Sequence, residues 1–178
     1  MKISILLGFL FLSIIIFGQE EDRIVVKGSP KFLSKWSWAN DSPITSLLNS
    51  GDKLTIKLAT QSGIEVTTTF NNINKQLLIL EEDENLVISC YEYDFDKDGN
   101  KEIVVIVSPD YAILNIYVFK YSKGLSELIG NFGGQFEIIF EQDLMILPFG
   151  SQGLASEYIY RSGAFFELIY HDPNLTGE

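Results

Sequence analysis

The stretch EIVVIVS, Glu102 to Ser108, is apolar at every position from Ile103 to Val107. Successive side chains of a strand point to opposite faces. A strand with one wet face alternates apolar with polar residues, and this one does not. The fold therefore has to cover this strand on both sides.

The remaining segments after residue 50 are strands separated by turn signals. Lys53–Ala59, Gly63–Phe70, Leu86–Tyr93 and Ile113–Tyr121 are rich in β-branched and aromatic residues. Phe136–Phe140, Leu144–Phe149, Glu157–Arg161 and Ala164–Tyr170 follow, the last two joined by Ser162-Gly163, a tight hairpin signal. Earlier, NDSPITSLLNSG suggests one short helix, with Asp41 or Ser42 as cap, Pro43 in the first turn and Gly51 at the exit. NFGGQF, Asn131 to Phe136, reads as a loop. YVFKYSKGLSEL (Tyr117–Leu128) is echoed by YIYRSGAFFEL (Tyr158–Leu168), each turning at a glycine. Those glycines, Gly124 and Gly163, lie 39 residues apart, near a propeller blade's period, but the chain is too short for four full blades. The expected class is all-β and mainly antiparallel: a meander, a sandwich, or a reduced propeller-like form.

The start, MKISILLGFLFLSIIIFGQ, has Lys2 followed by an apolar run from Ile3 to Phe17. That run is short of the roughly 20 residues a spanning helix needs. It reads as a secretory signal peptide over 1–18, which leaves a single β domain over 19–178. The expected location is the periplasm or the outside, with no membrane attachment after cleavage. Removing 1–18 takes away Lys2 and no acid, so the net charge moves from −11 to −12. A chain this acidic is repelled by nucleic-acid phosphates and suits a cation or a basic partner. Cys90 is the only cysteine, so no internal disulfide can form.

Just before EIVVIVS lies DFDKDGNKE, Asp94 to Glu102. Asp94, Asp96 and Asp98 fall at positions 1, 3 and 5, Gly99 at 6, Asn100 at 7 and Glu102 at 9. Alternate carboxylates on a curling loop can aim at one centre, Gly99 permits the turn, and the Asn100 carbonyl can face inward. Such an all-oxygen set suits Ca²⁺, a hard cation with six to eight ligands. Zn²⁺ prefers His and Cys, which are nearly absent. A plain acidic turn needs one Asp and a Gly, not acids at 1, 3, 5 and 9. An EF-hand is excluded because position 12 is Val105 and both flanks read as strands. We expect an ion there to pin the strand register.

The D-x-D-x-D-G-x-x-[D/E] pattern running into EIVVIV resembles the calcium loops of FG-GAP and VCBS repeats in β-propeller proteins. The resemblance implies Asp94, Asp96, Asp98 and Glu102 as side-chain ligands and Asn100 as a backbone ligand. It spans Tyr93 to about Tyr121, with one loop where those families usually carry several. More broadly, residues 85–170 resemble small periplasmic, propeller-like immunity proteins and inhibitors of lysozyme-type cell-wall hydrolases. Several such inhibitors present an S-G-x-Y loop to the enzyme. Here Ser162, Gly163 and Phe165 form S-G-x-F, which implies a partner-binding loop without the phenolic hydroxyl.

Other candidates for chemistry read as structure. His171 is the only histidine, no G-x-S-x-G elbow exists, and the sequence places no base beside a nucleophile. Cys90 sits in an apolar strand and reads as a buried hydrophobe. Glu81 to Glu84 read as a solvated turn, and Trp36 and Trp38 as one packed strand face. The expected function is a non-enzymatic, exported Ca²⁺-binding module for a protein or glycan partner. The alternative is an inhibitor of a basic cell-wall hydrolase, whose approach an acidic surface would steer. A secreted hydrolase ranks last for want of a catalytic group.

Overall fold

A computed structural model describes residues 25–39, 42–59, 63–109, 113–150 and 153–169. The segment 1–18, Asp41 and His171 lie outside the described residues. Every described element is a strand: β1 Val25–Lys27, β2 Lys31–Ser37, β3 Ile44–Leu47, β4 Lys53–Leu58, β5 Ile64–Phe70, β6 Ile73–Leu80, β7 Val87–Tyr93, β8 Glu102–Ser108, β9 Leu114–Ser122, β10 Leu125–Gly134, β11 Glu137–Glu141, β12 Leu144–Phe149, β13 Leu154–Arg161 and β14 Ala164–Glu167.

They form three sheets, of order β10-β9-β8-β7-β2, β3-β4-β5-β6 and β1-β11-β12-β13-β14. All pairings are antiparallel except β1 with β11. The first sheet is the middle layer. Ile103, Val105 and Val107 of β8 join Leu54, Ile56, Ile64 and Val66 of the β3–β6 sheet in one core. Val104 and Ile106 join Ile138, Phe140, Met145 and Leu147 of the third sheet in a second core. The all-apolar strand is thus covered on both faces, as its sequence requires. Each fully buried Val or Ile contributes roughly 1.5–3 kcal/mol, so this one strand anchors both layers.

Two expectations are corrected. Where a short helix was expected before Gly51, Ile44–Leu47 form a strand, β3, paired with β4. Ile44 and Thr45 are β-branched, a helix this short would be marginal alone, and the Ser46 hydroxyl donates to the Leu33 carbonyl at 2.8 Å. The NFGGQF loop is largely strand: β10 runs through Gly133 and Gly134, paired with Asn115 and Leu114. An added Cβ at Gly134 would sit 3.2 Å from Ile116, so the glycine lets the strand lie close.

The Ser162-Gly163 hairpin is as read. Arg161 pairs with Ala164, and both turn residues have positive φ, 54° and 83°. Lys123-Gly124 makes the same turn between β9 and β10. The two echoed segments therefore share a hairpin geometry but lie in different sheets. Trp36 is buried and meets Trp38 edge-on at 6.3 Å, in the core shared by the middle and β3–β6 sheets. Cys90 is buried in the same core, and burial pushes its thiol up to about 12. At the rim of that core, buried Glu92 accepts from Lys31 Nζ at 2.8 Å and from the Asn49 amide at 2.7 Å. This joins the two sheets through the β3–β4 turn.

Candidate metal centre

The acidic loop links β7 to β8, two adjacent inner strands of the middle sheet. Asp94 starts it and Glu102 ends it, opening β8 opposite Tyr93. Asp94, Asp96 and Asp98 each bring a carboxylate oxygen within 4.8 Å of the others, a grouping that could hold a metal ion. Asp96 and Asp98 are exposed and Asp94 is half-buried. Asp94 Oδ1 is buried and has no hydrogen-bond partner.

The backbone is wound by its own side chains. Gly99 N–H donates to Asp94 Oδ2 at 3.1 Å, and Asp98 N–H to Asp96 Oδ1 at 3.2 Å. Asn100 donates from its backbone to Asp98 Oδ1 at 2.7 Å and from its side chain to Oδ2 at 3.1 Å. The Asn100 backbone bond is the main reason Asp98 titrates below the usual carboxylate range. Lys97 and Gly99 hold φ values of 58° and 88°, and the missing Cβ at 99 makes the second costless.

Glu102 lies beneath the loop and outside the three-aspartate group. It is buried, and its Oε2 accepts from the Phe95 N–H at 3.2 Å. Its Oε1 accepts from the Tyr160 hydroxyl at 3.4 Å. Burial raises its pKa to about 7, opposed by the Phe95 and Glu102 N–H groups and reinforced by the charges of Asp96 and Asp94. Tyr160 is pushed up as well, first by burial and then by the Glu102 charge.

Phe95 is the residue the sequence reading missed. It sits between two aspartates yet is 1 % exposed, folded back into the core between the middle and third sheets. Its ring meets Tyr93 at 4.7 Å, Phe165 at 5.0 Å, Tyr160 at 5.6 Å and Phe140 at 5.8 Å. An apolar residue inside an otherwise charged loop was the available signal. Beside it opens a recess of about 310 Å³, lined by Phe95, Asp96, Lys97, Gln142, Asp143 and Tyr160.

The candidate partner loop lies close by. Ser162 is exposed, while Phe165 is half-buried, its ring against Phe95, Phe132 and Tyr160. Lys120 bridges the two candidates: its charge acts on Asp98, and its Nζ lies 3.9 Å from where a Gly163 Cβ would stand. The aspartate loop and the Ser162-Gly163 turn are therefore neighbours.

Comparison of the chain with protein-family models, with known proteins and with solved structures finds no match.

Proposed function

We propose that this is an exported, non-enzymatic β module that binds Ca²⁺ at the Asp94–Glu102 loop and engages a protein or glycan. The observation that carries the reading is the convergence of Asp94, Asp96 and Asp98, with a buried Asp94 oxygen lacking a partner. Buried polar atoms are almost always satisfied, and a bound cation would supply the partner this carboxylate oxygen lacks. The donors are all hard oxygens, which favours Ca²⁺ over thiophilic metals. Asp94, Asp96 and Asp98 supply side-chain ligands and Asn100 its carbonyl. Glu102 anchors the loop from below and adds its charge. When bound, the ion neutralises the carboxylates and ties β7 to β8.

Thermal melting with increasing CaCl₂ tests the binding. A ligand at a hundred times its Kd adds about 2.7 kcal/mol, or roughly 5–11 °C in a domain of this size. MgCl₂ should give less. An unmoved Tm at millimolar CaCl₂ sinks the calcium reading.

A second reading, inhibition of a basic cell-wall hydrolase, is favoured by the exposed Ser162 turn beside the acidic loop. A cell-wall lysis assay with lysozyme tests it. The expected result is inhibition lost on Ser162→Arg and weakened by salt. Unchanged lysis at micromolar protein rejects it.

A further inference from the structure

A second site lies at the opposite kind of place, between two sheets rather than on a loop. The face of the β3–β6 sheet that covers the middle sheet carries Leu54, Ile56, Ile64 and Val66. Along β5 and β6 the same face continues through the paired residues Thr68 and Lys75, then Phe70 and Ile73. There the covering stops. The β9–β10 turn closes the end, with Gly124 packed so tightly that a Cβ would come within 2.8 Å of the Phe70 ring. The result is a crevice of about 200 Å³ lined by Thr68, Phe70, Ile73, Lys75, Lys123 and Gly124.

Three features set it apart. First, it carries two lysines and no acid in its lining, in a chain of net charge −11. No ion pair to either lysine occurs among the described residues. Second, Thr68 is 1 % exposed and floors the crevice. Its hydroxyl faces that of Tyr121, which itself donates to Asp52 Oδ2 at 2.9 Å. Third, Ile73 is 70 % exposed at the lip and Leu125, next to Gly124, is 69 % exposed. Two cations without an ion-pair partner, set around an apolar floor and lip, match a ligand with an anionic head and a short apolar tail.

We propose that this crevice binds a small amphipathic carboxylate, its head between Lys75 and Lys123, its tail against Phe70 and Ile73. The volume is below the roughly 300–1,000 Å³ of sites for drug-sized ligands, so the ligand is a short chain. The site is separate in residues from the aspartate loop, and its occupancy does not depend on calcium.

Octanoate is the probe, titrated into the ¹⁵N-labelled purified protein with amide shifts followed by NMR. Octylamine carries the same tail with the opposite charge, and acetate the same head without a tail. The expected result is saturable movement of residues 68–75 and 123–125 with octanoate, and at least tenfold weaker effects with the other two. Lys75→Glu and Lys123→Glu, both exposed positions that should fold normally, should each weaken octanoate at least tenfold. Equal binding of octylamine, octanoate binding indifferent to both lysine reversals, or no saturable shift at millimolar octanoate overturns the proposal.

Discussion

Glu102→Gln is the perturbation that separates the loop's support from its metal chemistry. Burial holds the native carboxyl protonated up to about pH 7, against 4.5 for an ordinary glutamate. Between those values the native state binds more protons than the unfolded chain. Stability therefore falls as pH rises from about 4.5 to 7, and the loss is complete above it. The rise from 4.5 to about 7 corresponds to about 3 kcal/mol. Glutamine keeps the shape and removes the charge. Its carbonyl can accept from the Phe95 N–H, and its amide can donate to the Tyr160 oxygen once that hydroxyl rotates. Losing a charge-assisted bond returns about 1 kcal/mol. The variant should therefore be about 2 kcal/mol more stable than the parent at pH 8 in chelator, some 4–8 °C in Tm. At pH 5, where the parent is protonated, the two should agree within about 0.5 kcal/mol. In saturating CaCl₂ the advantage should shrink or reverse, because the ion stabilises the charge the variant lacks. Urea melts at the two pH values, with chelator or CaCl₂, read all of this. Destabilisation by more than about 1 kcal/mol at pH 8 in chelator would refute the reasoning, as would equal effects at both pH values.

Phe95→Ala removes the ring that plugs the loop into the core and should cost about 3–5 kcal/mol in urea melts, with weakened calcium binding. Full stability would mean the ring is not packed as described. Gly124→Ala adds a Cβ at φ 77° within 2.8 Å of Phe70 and should cost at least about 1–2 kcal/mol by the same assay. Cys90, buried and with a thiol pKa of about 12, should resist aromatic disulfide reagents in the native protein and react on unfolding. Rapid native labelling would contradict its placement.

Much of this architecture is legible in the residues, and the failures have physical causes. Ile103 to Val107 announce two covering layers, because no strand can hide five consecutive apolar residues against one. Ser162-Gly163 announces its turn, because few pairs tolerate two positive φ values. The segment Ile44–Leu47 misleads because Pro43 and Gly51 are equally good punctuation for a helix and for a strand between turns, and pairing with β4 decides. Gly133 and Gly134 mislead because glycine in a strand marks close approach, which only the neighbouring Ile116 reveals. At the loop, the spacing of Asp94, Asp96 and Asp98 is visible, but the depth of Glu102 is not. Its partner Tyr160 is 58 residues away, and only the stacking of the third sheet on the middle one brings them together.

The most direct trial of the whole account is isothermal titration of the purified protein with CaCl₂, run beside an Asp96→Asn, Asp98→Asn double variant. The expected result is saturable heat with one ion per chain, lost or weakened at least tenfold in the variant. Absence of saturable heat at millimolar calcium, or an isotherm the two substitutions leave unchanged, would contradict it.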